Sequence, residues 1–314
     1  MKRLIGVAVI FCGVQAENLF TEHSSLYYGT YSDTFVQRWG IQERTHFSYD
    51  PRLEAFPTDP ERVAIFDPAA VKEGDIIFVR DVSAFMKVLH PQIKSHYIMV
   101  TAGDYKDAMK SQFLTYLDEE LIIAWFCVHP CPRSHPKYHW LPLGIFQQRE
   151  FYTKRRQLNK LFSLWRTAPK EKLLYCNFGL RTHSKPERDE IYDRFSKADF
   201  CTIGPKVPFL EYMKVMSEFK FTLSPRGVAP DTYRTWEALL VGCIPVLESC
   251  YLDELYADLP VLIVDDWSKV TRDFLEEEYK KIIAKKYNIE KLYMEYWWNK
   301  IETVRTQFLS QFNT

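Results

Sequence analysis

From Phe219 to Leu247 the chain reads FKFTLSPRGVAPDTYRTWEALLVGCIPVL, and most of its capacity for chemistry is concentrated there. Phe219 to Leu223 reads as a buried strand that ends in Ser224-Pro225-Arg226-Gly227. Arg226 carries a planar fork of donors suited to phosphate, and Gly227 lets backbone come close to a ligand. Asp231 reads as a helix N-cap, with Thr232 and Tyr233 entering the first turn. The free N–H groups and positive dipole end of such a helix start favour a diphosphate. Arg234 and Glu237 lie three apart and so share a helix face, where a carboxylate can take both hydroxyls of a ribose. The same spacing suits an i,i+3 salt bridge on an ordinary helix, and spacing alone leaves both readings open. Gly242 ends the helix, and Cys243-Ile244-Pro245-Val246 resumes a buried strand.

A second cluster, Cys127-Val128-His129-Pro130-Cys131 with His135 and His139 downstream, holds thiols and imidazoles of the types that bind zinc. Its spacing is not that of the usual structural sites, which pair two cysteines with two histidines far downstream. Pro130, Pro132 and Pro136 make it a stiff extended loop, and no metal site is expected.

Alternating strands and helices must position these residues. In the first half, strands are expected at Asp75 to Arg80, Tyr97 to Thr101 and Leu121 to Phe126, with helices at Val82 to Leu89 and Tyr105 to Leu117. Tyr27 to Asp59 is Tyr-rich and turn-prone. A charged helix follows from Phe151 to Arg166, and Thr167-Ala168-Pro169 breaks it to form a linker. The second half places strands at Lys172 to Asn177, Asp199 to Ile203, Phe219 to Leu223, Ile244 to Leu247 and Val261 to Val264. Helices fill Pro186 to Lys197, Pro208 to Glu218, Asp231 to Val241 and Val270 to Lys285, and a long one closes the chain from Ile289 to Phe312. The expected fold is α/β: two Rossmann-like lobes facing a central cleft, with a long C-terminal helix. The expected divisions are residues 1–16, an N-terminal lobe over 17–166, a C-terminal lobe over 167–288 and the closing helix over 289–314. Ligands of such sheets bind outside the carboxyl ends of the strands, so strand-end residues of both lobes face the cleft.

Lys+Arg and Asp+Glu stand at 41 each, so no long-range field steers the chain to nucleic acid or to an anionic membrane. Aromatics are abundant at 16%, which fills a core before it lines a cleft. Seven scattered cysteines are neither dense nor even enough for a disulfide framework, and they leave the compartment open. Residues 1–16 carry Lys2-Arg3, an apolar run and Val14-Gln15-Ala16, the layout of a signal peptide; their β-branched residues offer a buried first strand as the alternative. The first reading sends the chain to the secretory pathway and the second keeps it in the cytoplasm. The run is too short to span a membrane, which takes about 20 apolar residues, and no integral span is expected elsewhere.

The run S-P-R-G-x-x-x-D-T-Y-R-T-W-E-A-L-L-V-G-C-I-P-V-L resembles the donor-binding signature of exostosin-type glycosyltransferases. The resemblance implies the two-lobed arrangement called GT-B, a UDP-sugar donor as co-substrate and no obligatory metal or other cofactor. It gives Arg226 and Arg234 to the donor diphosphate and Glu237 to the ribose, with Ser224, Gly227 and Thr232 of the same run among the expected donor-binding residues. Asn177-Phe178-Gly179, with Thr182 and Arg188 following, resembles the family's loop facing the donor phosphates, where Arg181 or Arg188 adds charge neutralisation. His135-Pro136-Lys137 leading to Leu141-Pro142-Leu143-Gly144-Ile145 resembles the stretch that closes the first lobe. The first hundred residues match little, and the acceptor, a glycan or glycoconjugate, is expected on that side.

An inverting transfer needs a general base on the acceptor hydroxyl, opposite the leaving nucleotide. Asp104, Asp81 and His129 each follow a strand of the first lobe, and Asp104 is favoured because Gly103 suggests a tight turn that exposes it. Two alternatives stand beside this reading. One is a fucosyltransferase-like enzyme using a GDP-sugar, although Ser-Pro-Arg-Gly replaces the acidic-Asn pattern of that group. The other is a glycan-binding protein that keeps the fold without catalysis.

Overall fold

Runs such as Asp75-Ile76-Ile77-Phe78-Val79 are apolar on both faces, so they fold as strands only where both faces are covered. A computed structural model of the chain describes residues 20–21, 35–51, 66–103, 110–146, 154–180 and 185–311. Its first sheet has five parallel strands: β2 (Phe47–Tyr49), β3 (Asp75–Val79), β4 (Tyr97–Thr101), β5 (Ile122–Val128) and β6 (Tyr138–Leu141), side by side in chain order. The second sheet is also five-stranded and parallel, built from β7 (Lys172–Cys176), β8 (Cys201–Ile203), β9 (Phe219–Leu223), β10 (Ile244–Glu248) and β11 (Leu262–Val264). Its spatial order is β11-β10-β9-β7-β8, so the strand direction of travel reverses beside β7. A short pair, β1 (Phe20–Thr21) with β12 (Tyr287–Asn288), lies outside both sheets. The fold is therefore mixed α/β with two parallel sheets and a closing helix.

Period-two alternation assigns the sheet faces to different cores. On the first sheet Ile77, Val79, Met99 and Trp125 turn to one cluster, while Ile76, Phe78, Ile98, Val100 and Phe126 turn to another. That second cluster continues into the other half of the chain through Tyr175, Phe219 and Trp236. Leu174, Phe221, Leu223, Ile244 and Val246 fill the far face of the second sheet. The aromatic surplus goes largely inward: Trp125, Trp236, Tyr97, Tyr175 and Phe35 are among the largest fully buried side chains.

Seven α-helices matter here: α1 (Arg38–Arg44), α2 (Arg155–Thr167), α3 (Lys185–Ser196), α4 (Phe209–Met216), α5 (Tyr233–Leu240), α6 (Arg272–Ile283) and α7 (Met294–Ser310). Some expectations change. The Val82 to Leu89 helix is a single α turn, Val82–Ala84, running into a wide turn, Phe85–Leu89. A 3₁₀ turn, His90–Gln92, follows with Pro91 inside it, where the missing N–H rules out an α-type hydrogen bond. Of the Tyr105 to Leu117 helix, the described part is a 3₁₀ segment, Ser111–Asp118, and residues 104–109 lie outside the description. The closing helix is divided at Tyr293, whose extended backbone (ψ 150°) separates a 3₁₀ turn, Ile289–Leu292, from α7. The supposedly turn-prone opening contains α1 and β2.

α7 folds back onto the first sheet's side of the molecule. Arg305 Nε donates to the Gly74 carbonyl (2.8 Å), Arg44 pairs with Glu295 (2.6 Å), and Val36 N–H donates to the Leu292 carbonyl (2.9 Å). Residues 1–16 lie outside the described residues, so neither reading of that segment meets a structural counterpart. Among the described residues no helix is long and apolar enough to cross a membrane.

Candidate functional site

β9 delivers the chain to the carboxyl edge of the second sheet, and α5 carries it back. Thr232, not Asp231, is the N-cap of α5; its backbone is extended and it makes no side-chain cap bond. Its hydroxyl joins those of Ser224 (2.9 Å) and Thr235 (3.3 Å), and Ser224 also reaches Thr235 (3.0 Å). These three buried hydroxyls pin the strand end to the helix start. Asp231 is spent elsewhere. Its carboxylate accepts from the Leu143 N–H (2.6 Å), the Trp236 indole (2.8 Å) and the Tyr256 hydroxyl (2.9 Å), and burial pushes its pKa up to about 6. Leu143 belongs to the segment after β6, so Asp231 ties the two halves together at the helix start.

Gly144 makes that approach feasible. Its φ is +71°, and a Cβ there would stand 1.9 Å from the Val36 carbonyl oxygen. The chain can then continue to Phe146, whose N–H donates to Glu237 Oε1 (3.2 Å) and whose ring meets Tyr233 edge to face at 5.3 Å. A third tie joins Tyr251, just past β10, to the Pro130 carbonyl beyond β5 (2.8 Å). The carboxyl ends of strands in both sheets therefore meet.

A cleft of about 360 Å³ opens beside α5, lined among others by Phe146, Asn177, Tyr212, Thr232, Arg234 and Glu237. Arg234 and Glu237 form no ion pair with each other among the described residues. Glu237 is 5% exposed and is held by the Phe146 N–H; burial raises its pKa, partly offset by the Arg234 charge. Arg234 packs on the Phe178 ring (5.8 Å), and its Nε is buried with no hydrogen-bond partner. The Tyr212 hydroxyl, buried in the same cleft, likewise meets no partner of regular geometry. Arg188 faces this group as a second cation, and burial followed by the Arg234 charge lowers its pKa to about 10. Two guanidiniums lining one cleft, with a donor unused, suit an anionic ligand.

The remaining candidates serve in other ways. Arg188 donates to the carbonyls of Arg226 (2.7 Å), Gly179 (2.8 Å) and Pro225 (3.1 Å), so it braces the Ser224–Gly227 loop. Arg226 is half exposed and pairs loosely with Glu187 at 3.8 Å. Gly227 backs onto Arg188: a Cβ there would sit 3.4 Å from Nη2. Asn177 donates to the Tyr175 hydroxyl (2.8 Å) and the Pro205 carbonyl (2.9 Å), fixing the rim. Arg181 lies outside the described residues.

On the first sheet, Asp81 accepts from the Ala84 N–H (2.9 Å) and caps a helical turn. His129 sits beyond β5 with φ +62°, 2% exposed, and burial lowers its pKa to about 4. Asp104 lies outside the described residues. Sequence reading passed over a buried ion pair, Asp50 with Arg80 (3.3 Å), at the carboxyl ends of β2 and β3. Its signal was the Phe47-Ser48-Tyr49 strand ahead of Asp50, hidden in a segment read as turn-prone. Tyr212 and Phe146 were also passed over, because they join the cleft from elements distant in sequence. Among the described residues no cluster of three or more His, Cys, Asp or Glu could hold a metal ion. No protein-family model matches the chain, and no curated protein matches it either.

Proposed function

We propose that the chain is a glycosyltransferase that moves a sugar from a UDP-sugar to a hydroxyl of a glycan or glycoconjugate, with inversion and without an obligatory metal. The observation that carries the reading is a cleft at the carboxyl edge of a parallel sheet lined by Arg234, Arg188 and Glu237, with the Arg234 Nε buried and unpartnered behind it. The resemblance of Ser224 to Leu247 to the exostosin-type donor signature supports it, and so does the placement of that run on a strand, turn and helix. In this reading the sheets are the two lobes of a GT-B arrangement. The diphosphate lies against Arg234 and the start of α5, where positive charge offsets what develops on the leaving UDP. Glu237 takes the ribose hydroxyls, and Phe146 brings the first lobe over the nucleotide.

The acceptor hydroxyl must lose its proton to a base on the first lobe. Asp81 spends a carboxylate oxygen on its helix cap, and His129 holds a proton only below about pH 4 and is buried. Neither lines the donor-end cleft, so Asp104 is the base proposed.

Calorimetry with UDP tests the donor site, using the parent chain, Arg234→Ala and Asp104→Asn. The parent should bind and Arg234→Ala should bind at least about tenfold more weakly, a loss of about 1.4 kcal/mol. Asp104→Asn should keep UDP affinity and lose turnover by about 10²–10⁴ on whichever UDP-sugar is active. No binding by the parent, or undiminished binding by Arg234→Ala, sinks the donor site. UDP binding without turnover of UDP-xylose, UDP-galactose, UDP-glucuronic acid or UDP-N-acetylglucosamine sinks the transferase reading.

A further inference from the structure

A second cavity, of about 800 Å³, has more than twice the volume of the donor-end cleft and shares no lining residue with it. It lies along the edge strand β6 and is closed by the segment after β10 and by one face of α7. Trp140 of β6 and Tyr251 meet edge to face, with centroids 5.9 Å apart and planes at 81°, so their rings stand nearly perpendicular in the wall. Both are only partly buried. The Trp297 ring of α7 completes the aromatic lining, with the Lys300 ammonium 5.1 Å from its centroid.

The polar groups decide what such a wall is suited to hold. Lys291 and Lys300 are balanced by Asp253 and Glu254 in the same lining. His139, stacked on Phe126 at 4.6 Å, has its pKa lowered by burial and by the Lys300 charge, so it adds no positive charge at neutral pH. A phosphate or carboxylate ligand would call for a cationic excess, which is missing from this lining. A purely apolar ligand would strip water from these groups without replacing it. A pyranose meets both demands: its axial C–H face is apolar and packs on an aromatic ring, while its equatorial hydroxyls need donors and acceptors together. The volume is within the roughly 300–1,000 Å³ range of small-molecule sites.

We propose that this cavity binds a neutral oligosaccharide whose sugar rings pack against Trp140 and Tyr251. The site is independent of the donor-end cleft, so its existence does not require that the chain transfer sugar.

The test is saturation-transfer NMR followed by calorimetry with lactose, cellobiose, maltose, xylobiose and N,N′-diacetylchitobiose. Four proteins are compared: the parent, Trp140→Ala, Thr303→Trp and Arg234→Ala. Thr303 is exposed on α7, so the larger side chain fills the cavity without removing any core residue. At least one sugar should bind the parent, bind at least about tenfold more weakly to Trp140→Ala and Thr303→Trp, and bind Arg234→Ala unchanged. Binding should also persist in excess UDP. The proposal is overturned if none of the five binds the parent, if Thr303→Trp binds as the parent does, or if Arg234→Ala or UDP abolishes binding. The last two outcomes would place the sugar in the donor-end cleft instead.

Discussion

Asp231 shows how one side chain can be read correctly in type and wrongly in partner. It has the residue type of an N-cap, yet its carboxylate is drawn to a backbone N–H from the other half of the chain and to two buried aromatic donors. Three hydrogen bonds do not fully offset removal of the charge from water, which is why its pKa rises from 3.8 to about 6. A raised carboxyl favours folding when protonated. Its contribution is complete below pH 3.8 and is lost as pH rises through about 6. At about 1.4 kcal/mol per pH unit this amounts to about 3 kcal/mol. Asparagine does not titrate, so the stability of the parent minus that of Asp231→Asn should fall by about 2 kcal/mol between pH 4 and pH 7, part of the change lying below pH 4. Urea unfolding of both proteins across that range measures it, and a flat difference would contradict the buried geometry. Glu237 shifts in the same direction for the same reason, with the nearby Arg234 charge opposing it.

At the scale of elements, α5 depends on what holds its two ends. Its start is pinned by the Ser224, Thr232 and Thr235 hydroxyls. Its end is held from the last turn of α2 and the segment after it, where Arg166 Nε donates to the Leu240 carbonyl (3.1 Å) and Lys170 Nζ donates to the Val241 carbonyl (2.8 Å). Lys170 also donates to the carbonyls of Trp165 (2.7 Å) and Ser217 (2.7 Å), so one ammonium serves the ends of three segments. Gly242, with φ +72°, makes the turn where a Cβ would stand 2.6 Å from the Arg166 carbonyl oxygen. Lys170→Met keeps the stem and removes all three donations; the Trp165 carbonyl keeps the Ala168 N–H, and the two stranded carbonyls, of Ser217 and Val241, cost about 1–3 kcal/mol each. The expected loss is about 2 kcal/mol or more in urea unfolding; a loss below about 1 kcal/mol would mean that water replaces the ammonium.

The strand, turn and helix around Ser224 were legible because their signals are local: an apolar run, a Gly-containing turn, then a helical period ending at a glycine. β4 and β9 match their expected bounds residue for residue. β6 was not legible, since Tyr138-His139-Trp140-Leu141 follows a proline-rich stretch and becomes a strand only by pairing with β5. The two functions of Arg188 and Asp231, bracing a loop and joining the sheets, are long-range and leave no trace in spacing.

The whole molecule is organised around a core that does not respect the boundary between the sheets. Phe78, Val100 and Phe126 of the first sheet share a cluster with Tyr175 and Phe219 of the second, with Trp236 of α5 and with Met294, Trp297 and Ile301 of α7. Trp236 and Trp297 meet edge to face at 6.5 Å, which couples the candidate donor helix to the last helix of the chain. The β1–β12 pair adds a tie between segments far apart in sequence. Two lobes with separate cores would unfold separately; a common core makes the loss of one expose the apolar face of the other. The chain should therefore unfold in urea in one transition, with tryptophan fluorescence and far-UV circular dichroism tracing the same midpoint. Ile301→Ala cuts into this cluster at a fully buried position and should lower that single midpoint by about 2–5 kcal/mol of stability for both probes alike. Two resolved transitions in the parent, or an Ile301→Ala effect confined to one of them, would show that the lobes are energetically separate despite the shared packing.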